Sequence, residues 1–221
     1  GGMDVNFQVD ATLRDISLED ATMVLETNLE IIDDFILGTK ADGNSEFTMT
    51  NQNAKLNIKD DLFIGYGGKA KASFTNGDTD IDGSFSIGNL DNSNGSVVFS
   101  DSADIDIKED FFIGLKGDAN VDYSGGTLAV GGSITIGKDS NSKGQFNISN
   151  TAKLTVLNDM TIGESGEAYV NCSGGSLTVG GKISLKGTAT SVFNMSGGNL
   201  TVKAIELNSK ESFQFTGGTL N

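Results

Sequence analysis

Apolar residues in this chain recur at every second position in short bursts, each closed by glycine, asparagine or serine. Period two is strand spacing, since successive side chains of a strand point to opposite faces. Three bursts occur before the pattern returns: Leu177-x-Val179, Ile183-x-Leu185 and Phe193-x-Met195. Rungs start at Leu29, Leu56, Thr79, Ile105, Leu128, Leu154, Leu177, Leu200 and Leu220, at intervals of 27, 23, 26, 23, 26, 23, 23 and 20 residues. A fixed period averaging about 24 residues signals a solenoid. Third-burst pairs follow the same order: Phe47/Met49, Ala72/Phe74, Val97/Phe99, Val121/Tyr123, Phe146/Ile148, Val170/Cys172 and Phe213/Phe215.

Stacked about 4.8 Å apart, these positions become apolar columns inside a coil. The expected fold is all-β, a parallel β-helix of about nine rungs with three short strands per rung, forming a rod roughly 43 Å long. Residues 29–221 carry the rungs, and 1–28 read as an irregular first rung or a cap. "SGG" and "GG" are the corners, where glycine supplies backbone angles that strain other residues. "TNGD" at 75–78 and "SNTAK" at 149–153 replace "SGG", and asparagine tolerates left-handed angles.

The phrases "SGGTLAVGGSITIG" (124–137) and "SGGSLTVGGKISL" (173–185) resemble the autotransporter-associated β-strand repeats of bacterial surface proteins. The match in wording covers about residues 124–202; earlier rungs share the spacing only. The resemblance implies a secreted, extended β-helical stalk or passenger, adhesive or architectural, at the bacterial cell surface.

Composition narrows the chemistry. Thirty glycines, 13 phenylalanines and no proline suit turns alternating with buried strands better than a disordered linker. A net charge of −15 repels nucleic acid and anionic membrane surfaces and favours cations. No apolar run reaches the about 18 residues of a membrane span. With no histidine and a single cysteine, internal disulfides and Cys/His zinc sites are excluded. Arg14 is the only arginine, so general bases and oxyanion stabilisers are scarce and no enzyme is expected.

Two acidic groups are candidate calcium ligands. "DTDIDG" opens like a calcium loop and places Asp78, Asp80 and Asp82 on one outer face, but Asn89 stands where a bidentate glutamate belongs. Asp34, Asp61, Asp110 and Asp159 share a corner position, bringing Asp34 near Asp61. Both groups also read as solvated acidic positions. Outward Asn147, Asn171, Asn194 and Gln214 suit an amide ladder along the rod. Thr155, Thr178 and Thr201 form another outward row, beside Thr161, Ser184 and Glu206, and an ice-binding face is a minor reading of it.

Outward Ile36, Phe63, Ser86 and Phe112 read either as a contact surface or as a face covered by the N-terminal segment. Phe63, Tyr66 and Phe112 form the platform of an alternative function, binding a surface glycan. Cys172 falls at an inward position. The last rung, with Phe213, Phe215 and Leu220, leaves an uncapped end, whose cover is either a neighbouring copy stacked head to tail into a filament or mere packing. The leading expectation is a non-enzymatic extracellular structural or adhesive solenoid, with itself or cell-surface components as partners.

Overall fold

The computed structural model describes residues 3–7, 10–186, 190–208 and 211–221, and among them every strand pairing is parallel and no helix occurs. Three sheets run along a β-solenoid. In the first, Leu29 pairs with Leu56, Leu56 with Thr79 and Thr79 with Ile105, then on through Leu128, Leu154, Leu177, Leu200 and Leu220. This is the register anticipated from the anchors. In the second sheet Phe35, Leu62, Phe85, Phe111, Ile134, Met160, Ile183 and Ile205 align. In the third, Phe47, Ala72, Val97, Val121, Phe146, Val170, Phe193 and Phe213 align.

The register also reaches into the N-terminal segment. Ala11 pairs with Leu29, Ile16 with Phe35, Met23 with Phe47, and Val5 with Met23. Residues 1, 2, 8 and 9 of that segment lie outside the described residues.

Inward side chains fill the coil, and the phenylalanines find their place there. Phe35, Phe47, Phe74, Phe99 and Tyr123 make successive ring contacts with centroids 5.3–5.9 Å apart. A branch from Phe99 runs through Phe85 to Phe111, whose rings stack at 5.0 Å, and on to Phe146. Such contacts add to the burial of each ring, itself worth about 1.5–3 kcal/mol. Tyr123 is the one aromatic in this series with a polar group. Its hydroxyl accepts from the Lys153 amide and lies 2.7 Å from the Lys153 carbonyl, and burial pushes its pKa up to about 12.

The average period conceals an alternation of long and short rungs. Connections from the third strand to the first span 50–54, 75–77, 100–103, 124–126, 149–152 and 173–175. Those from the second strand to the third span 38–43, 65–68, 88–93, 114–117, 137–142 and 163–166. Both series run long, short, long, short. From residue 54 to the corner at 173–175 the repeat unit is therefore a pair of rungs, 49 residues long, with Ala54, Ala103 and Ala152 at equivalent positions.

The alternation has a steric cause. In the long corners the Ala103 amide donates to the Ser100 carbonyl and the Ala152 amide to the Ser149 carbonyl, with Asp101 and Asn150 left-handed at φ 50° and 51°. The next rung's short corner lies directly against that turn. A Cβ on Gly125 would collide with the backbone of Asp101, and one on Gly174 with that of Asn150. The second glycine of each phrase is left-handed, at φ 78° for Gly126 and 72° for Gly175, as expected. Asn150 takes the left-handed angle in "SNTAK", whereas in "TNGD" Gly77 does so at φ 84°. Toward the C-terminus short corners follow one another, and Glu167–Leu185 and Ser191–Leu207 run as continuous strands through all three sheets, paired at the corners too.

The outward amides form the expected ladder. Asn171 donates to Asn147 at 2.9 Å and Asn194 to Asn171 at 3.0 Å, while Asn147 donates to Asp122 at 2.8 Å. The burial pattern sets the relative cost of adjacent substitutions. Phe193→Ala, at a fully buried position, should cost about 3–5 kcal/mol. Asn194→Ala, one residue away in the ladder, should cost only about 0.5–1.5 kcal/mol. Urea unfolding of the two variants would measure this, and equal costs would contradict the strand register.

Candidate functional site

Three features merit consideration: the corner between the first and second sheets, the outer aromatic row of the second sheet, and a groove beside the long connections. The corner joins Ile58 to Leu62, Ile81 to Phe85, Ile107 to Phe111, and so on, three residues at a time. Its last residue runs Asp34, Asp61, Ser84, Asp110, Ser133, Asp159, Lys182 along the rod. Each aspartate accepts the backbone N–H of the residue one rung on. Asp34 accepts from Asp61 at 3.2 Å, Asp61 from Ser84 at 2.6 Å, Asp110 from Ser133 at 2.7 Å and Asp159 from Lys182 at 2.9 Å.

Those carboxylates also explain the "GG" of the repeated phrase. Gly83, Gly132 and Gly181 precede the amides being bonded, and a Cβ on any of them would fall on Oδ1 of Asp61, Asp110 or Asp159 respectively. Gly132 and Gly181 are not among the left-handed residues. Here the sequence expectation needs correction: these glycines leave room for the preceding rung's carboxylate rather than supply an unusual angle.

Asp34 and Asp61 do come together, joined by Asp60, with one carboxylate oxygen from each within 4.8 Å of the others. Burial is the main cause that raises both carboxyl pKa values, the backbone N–H bond lowers them, and neighbouring Asp60 raises them further. Their Oδ1 atoms are already engaged in bonding the backbone, which accounts for the acids at this corner.

Asp78, Asp80 and Asp82 lie along one strand and its corner, and the latter two meet lysines. Asp80 pairs with Lys55 at 2.9 Å and Asp82 with Lys59 at 3.2 Å, both lysines being on the preceding rung. Asp78 is exposed beside Asp104 in register. Ser184 is buried against Glu206 at 3.2 Å, which interrupts the second outward row that an ice-binding face requires. Cys172 is buried as expected, and burial pushes its thiol pKa up.

On the second sheet Ile36, Phe63 and Phe112 are half-buried on the outer side, with Ser86 buried between the two phenylalanines. Tyr66 meets the edge of Phe63 at 5.3 Å, and the Lys138 ammonium sits 4.5 Å from the Phe112 ring centroid. Among the described residues of the N-terminal segment, Ile16–Leu18 continues the sheet in plane with this row, Ser17 pairing with Ile36, rather than lying over it. Phe215 and Leu220 at the C-terminal end are each 45% exposed, and Phe213 is half-buried.

Sequence reasoning missed an open groove of about 550 Å³ beside the 88–93 connection, lined by Lys69, Asp91, Asn94, Lys116 and Asp118. Its signal was the alternation of connection lengths, since a long connection overhangs the short ones on either side. No protein-family model, curated protein or solved structure matches the chain.

The corner makes two predictions. Asp61→Ala leaves the Ser84 amide without an acceptor and should cost about 1–3 kcal/mol at pH 7. Asp61→Asn keeps an acceptor and should be at least as stable as the parent. With a folded pKa above the unfolded value, Asp61 loses stabilisation as pH rises through the interval from about 3.8 to the raised folded value, and Asp61→Asn should flatten that fall. Urea unfolding across pH 3–7 would detect both effects. Separately, Gly181→Ala should destabilise, and Asp159→Ser should recover part of the loss, giving a non-zero coupling in a double-mutant cycle. Strict additivity would contradict the steric account.

Proposed function

We propose that the chain is a non-enzymatic, extracellular structural rod of a bacterial cell surface, serving as a stalk or adhesive support. The observation that carries this reading is how its polar groups are spent. Corner carboxylates bond the next rung's backbone, outward amides bond one another, and strand-face acids pair with lysines one rung away. These groups are committed to the stack rather than turned toward a substrate. The resemblance of residues 124–202 to autotransporter-associated repeats supports the extracellular placement, and the stiffness of in-register parallel sheets suits a spacer.

A second reading rests on the outer aromatic row. Phe63, Tyr66 and Phe112 present an apolar platform with Lys138 beside it, the kind of surface on which a sugar ring stacks. The two readings separate on a broad glycan array and a panel of polysaccharide turnover assays. The structural rod should bind no glycan and turn over no polysaccharide. Glycan binding that disappears in Phe112→Ala would replace it with the second reading.

A further inference from the structure

The strands of the second sheet are three residues long with a single outward residue in the middle. Ile36, Phe63, Ser86, Phe112 and Thr135 therefore form one outer column on successive rungs. Beside it, where the connections to the third sheet begin, lie Tyr66, Leu90 and Leu115. The Leu90 amide donates to the Tyr66 carbonyl at 3.0 Å, which sets those two on neighbouring rungs. Leu90 is 38% exposed, and Phe63, Tyr66, Phe112 and Leu115 are half-buried. Apolar side chains facing outward on consecutive rungs make a strip, and a strip of this kind marks a contact surface.

Charge frames the strip unequally. On the side of the first sheet, the corners 32–34, 59–61, 82–84 and 108–110 carry seven acids against two lysines. Both of those lysines are engaged, Lys59 with Asp82 and Lys108 with Asp106. On the side of the third sheet, residues 65–69, 88–94, 114–118 and 137–139 carry three aspartates with Lys69, Lys116 and Lys138. The strip thus runs between an acidic margin and a balanced one that bears lysines.

That asymmetry decides how a second copy fits on the strip. A two-fold axis parallel to the rods lays each copy's acidic margin on the other's lysine-bearing margin, twice over. A two-fold axis across the rods turns one copy end for end and lays acid on acid. Like charges opposed across a contact are costly, whereas complementary margins fix its orientation. The net charge of −15 acts against any pairing of whole rods. At 0.1 M salt the Debye length is about 10 Å, so the charges that matter are those on the facing margins.

We propose that two copies pair side by side and parallel, second sheet against second sheet, with Phe63 and Phe112 of both in the shared strip. The inference rests on the structural-rod reading above, in which stalks standing on one surface point the same way. An isologous contact of this kind closes on itself and stops at two copies. The symmetry sets identical residues at equal height, Thr135 opposite Thr135. It also sets Glu109 of one copy against Lys116 of the other, since the two flank the same strand, Phe111–Ile113. Three residues at about 3.3 Å and four rung spacings of about 4.8 Å make the strip roughly 10 by 19 Å. That is well short of the about 800 Å² per partner of a stable interface, so pairing depends on concentration.

Sedimentation velocity of the full chain in 0.1 M salt, over a concentration series, tests the pairing, and disulfide cross-linking tests its orientation. Monomer should give way to dimer as concentration rises. Phe112→Ser, which copies the neighbouring rung's Ser86, should abolish the dimer while the chain still melts cooperatively. Glu109→Lys and Lys116→Glu should each weaken pairing, and both together in one chain should restore it. Thr135→Cys alone should yield a disulfide-linked dimer on oxidation, whereas the parent, whose Cys172 is buried, should yield none. An end-for-end pair centred on Ser86 cross-links only a mixture of Ile36→Cys and Thr135→Cys, and that result would overturn the proposal. Monomer at every concentration, or a dimer indifferent to Phe112→Ser, would do the same. A monomer that binds no glycan removes the pairing alone and leaves the structural rod standing; Phe112-dependent glycan binding by a monomer removes the rod reading as well.

Discussion

No rung of this coil can bury its own interior. Phe47 is covered from one side by Phe35 and from the other by Phe74, and neither contact exists unless the neighbouring rungs are in register. A slip of one residue would turn each inward side chain outward, because the side-chain period is two. The burial of every column depends on that register, which accounts for its constancy from Ala11 to Leu220 while the connections between strands vary in length.

The connections vary in a way that preserves the stack. A long corner such as 100–103 folds into its own turn, and the short corner 124–126 fits against it only because Gly125 has no side chain. Glycine thus serves two separate ends in one phrase. Gly126 and Gly175 take a left-handed angle, while Gly132 and Gly181 make room for a carboxylate. The same carboxylate satisfies a backbone amide that the three-residue corner would otherwise leave without a partner.

This economy shapes the outer chemistry. Many acids and amides on the rod are bound to the rung above or below, and the surface ion pairs between Lys55 and Asp80 or Lys59 and Asp82 add little stability because they are exposed. What the stack leaves unengaged is the aromatic row around Phe63 and Phe112, where large apolar residues facing outward break the repeating pattern.

The period-two bursts and their anchors were enough to determine the fold class, the strand register and the inward residues, including Cys172 and the Phe213 column. An alternating pattern has only one face that burial can reward, and a repeated anchor aligns that face between rungs. Even the amide ladder from Asn147 to Asn194 follows from parity alone. The role of Asp34 and Asp61, the steric need for Gly181 and the groove near Lys116 required the folded coil. Each depends on atoms about one rung away in sequence but a few ångströms away in space: Asp159 Oδ1 against Gly181, or Asp61 Oδ1 against the Ser84 amide. The residue letters show that an acid occurs at a corner; the distance to the next rung's backbone decides whether it is free for a ligand or already holding the chain together.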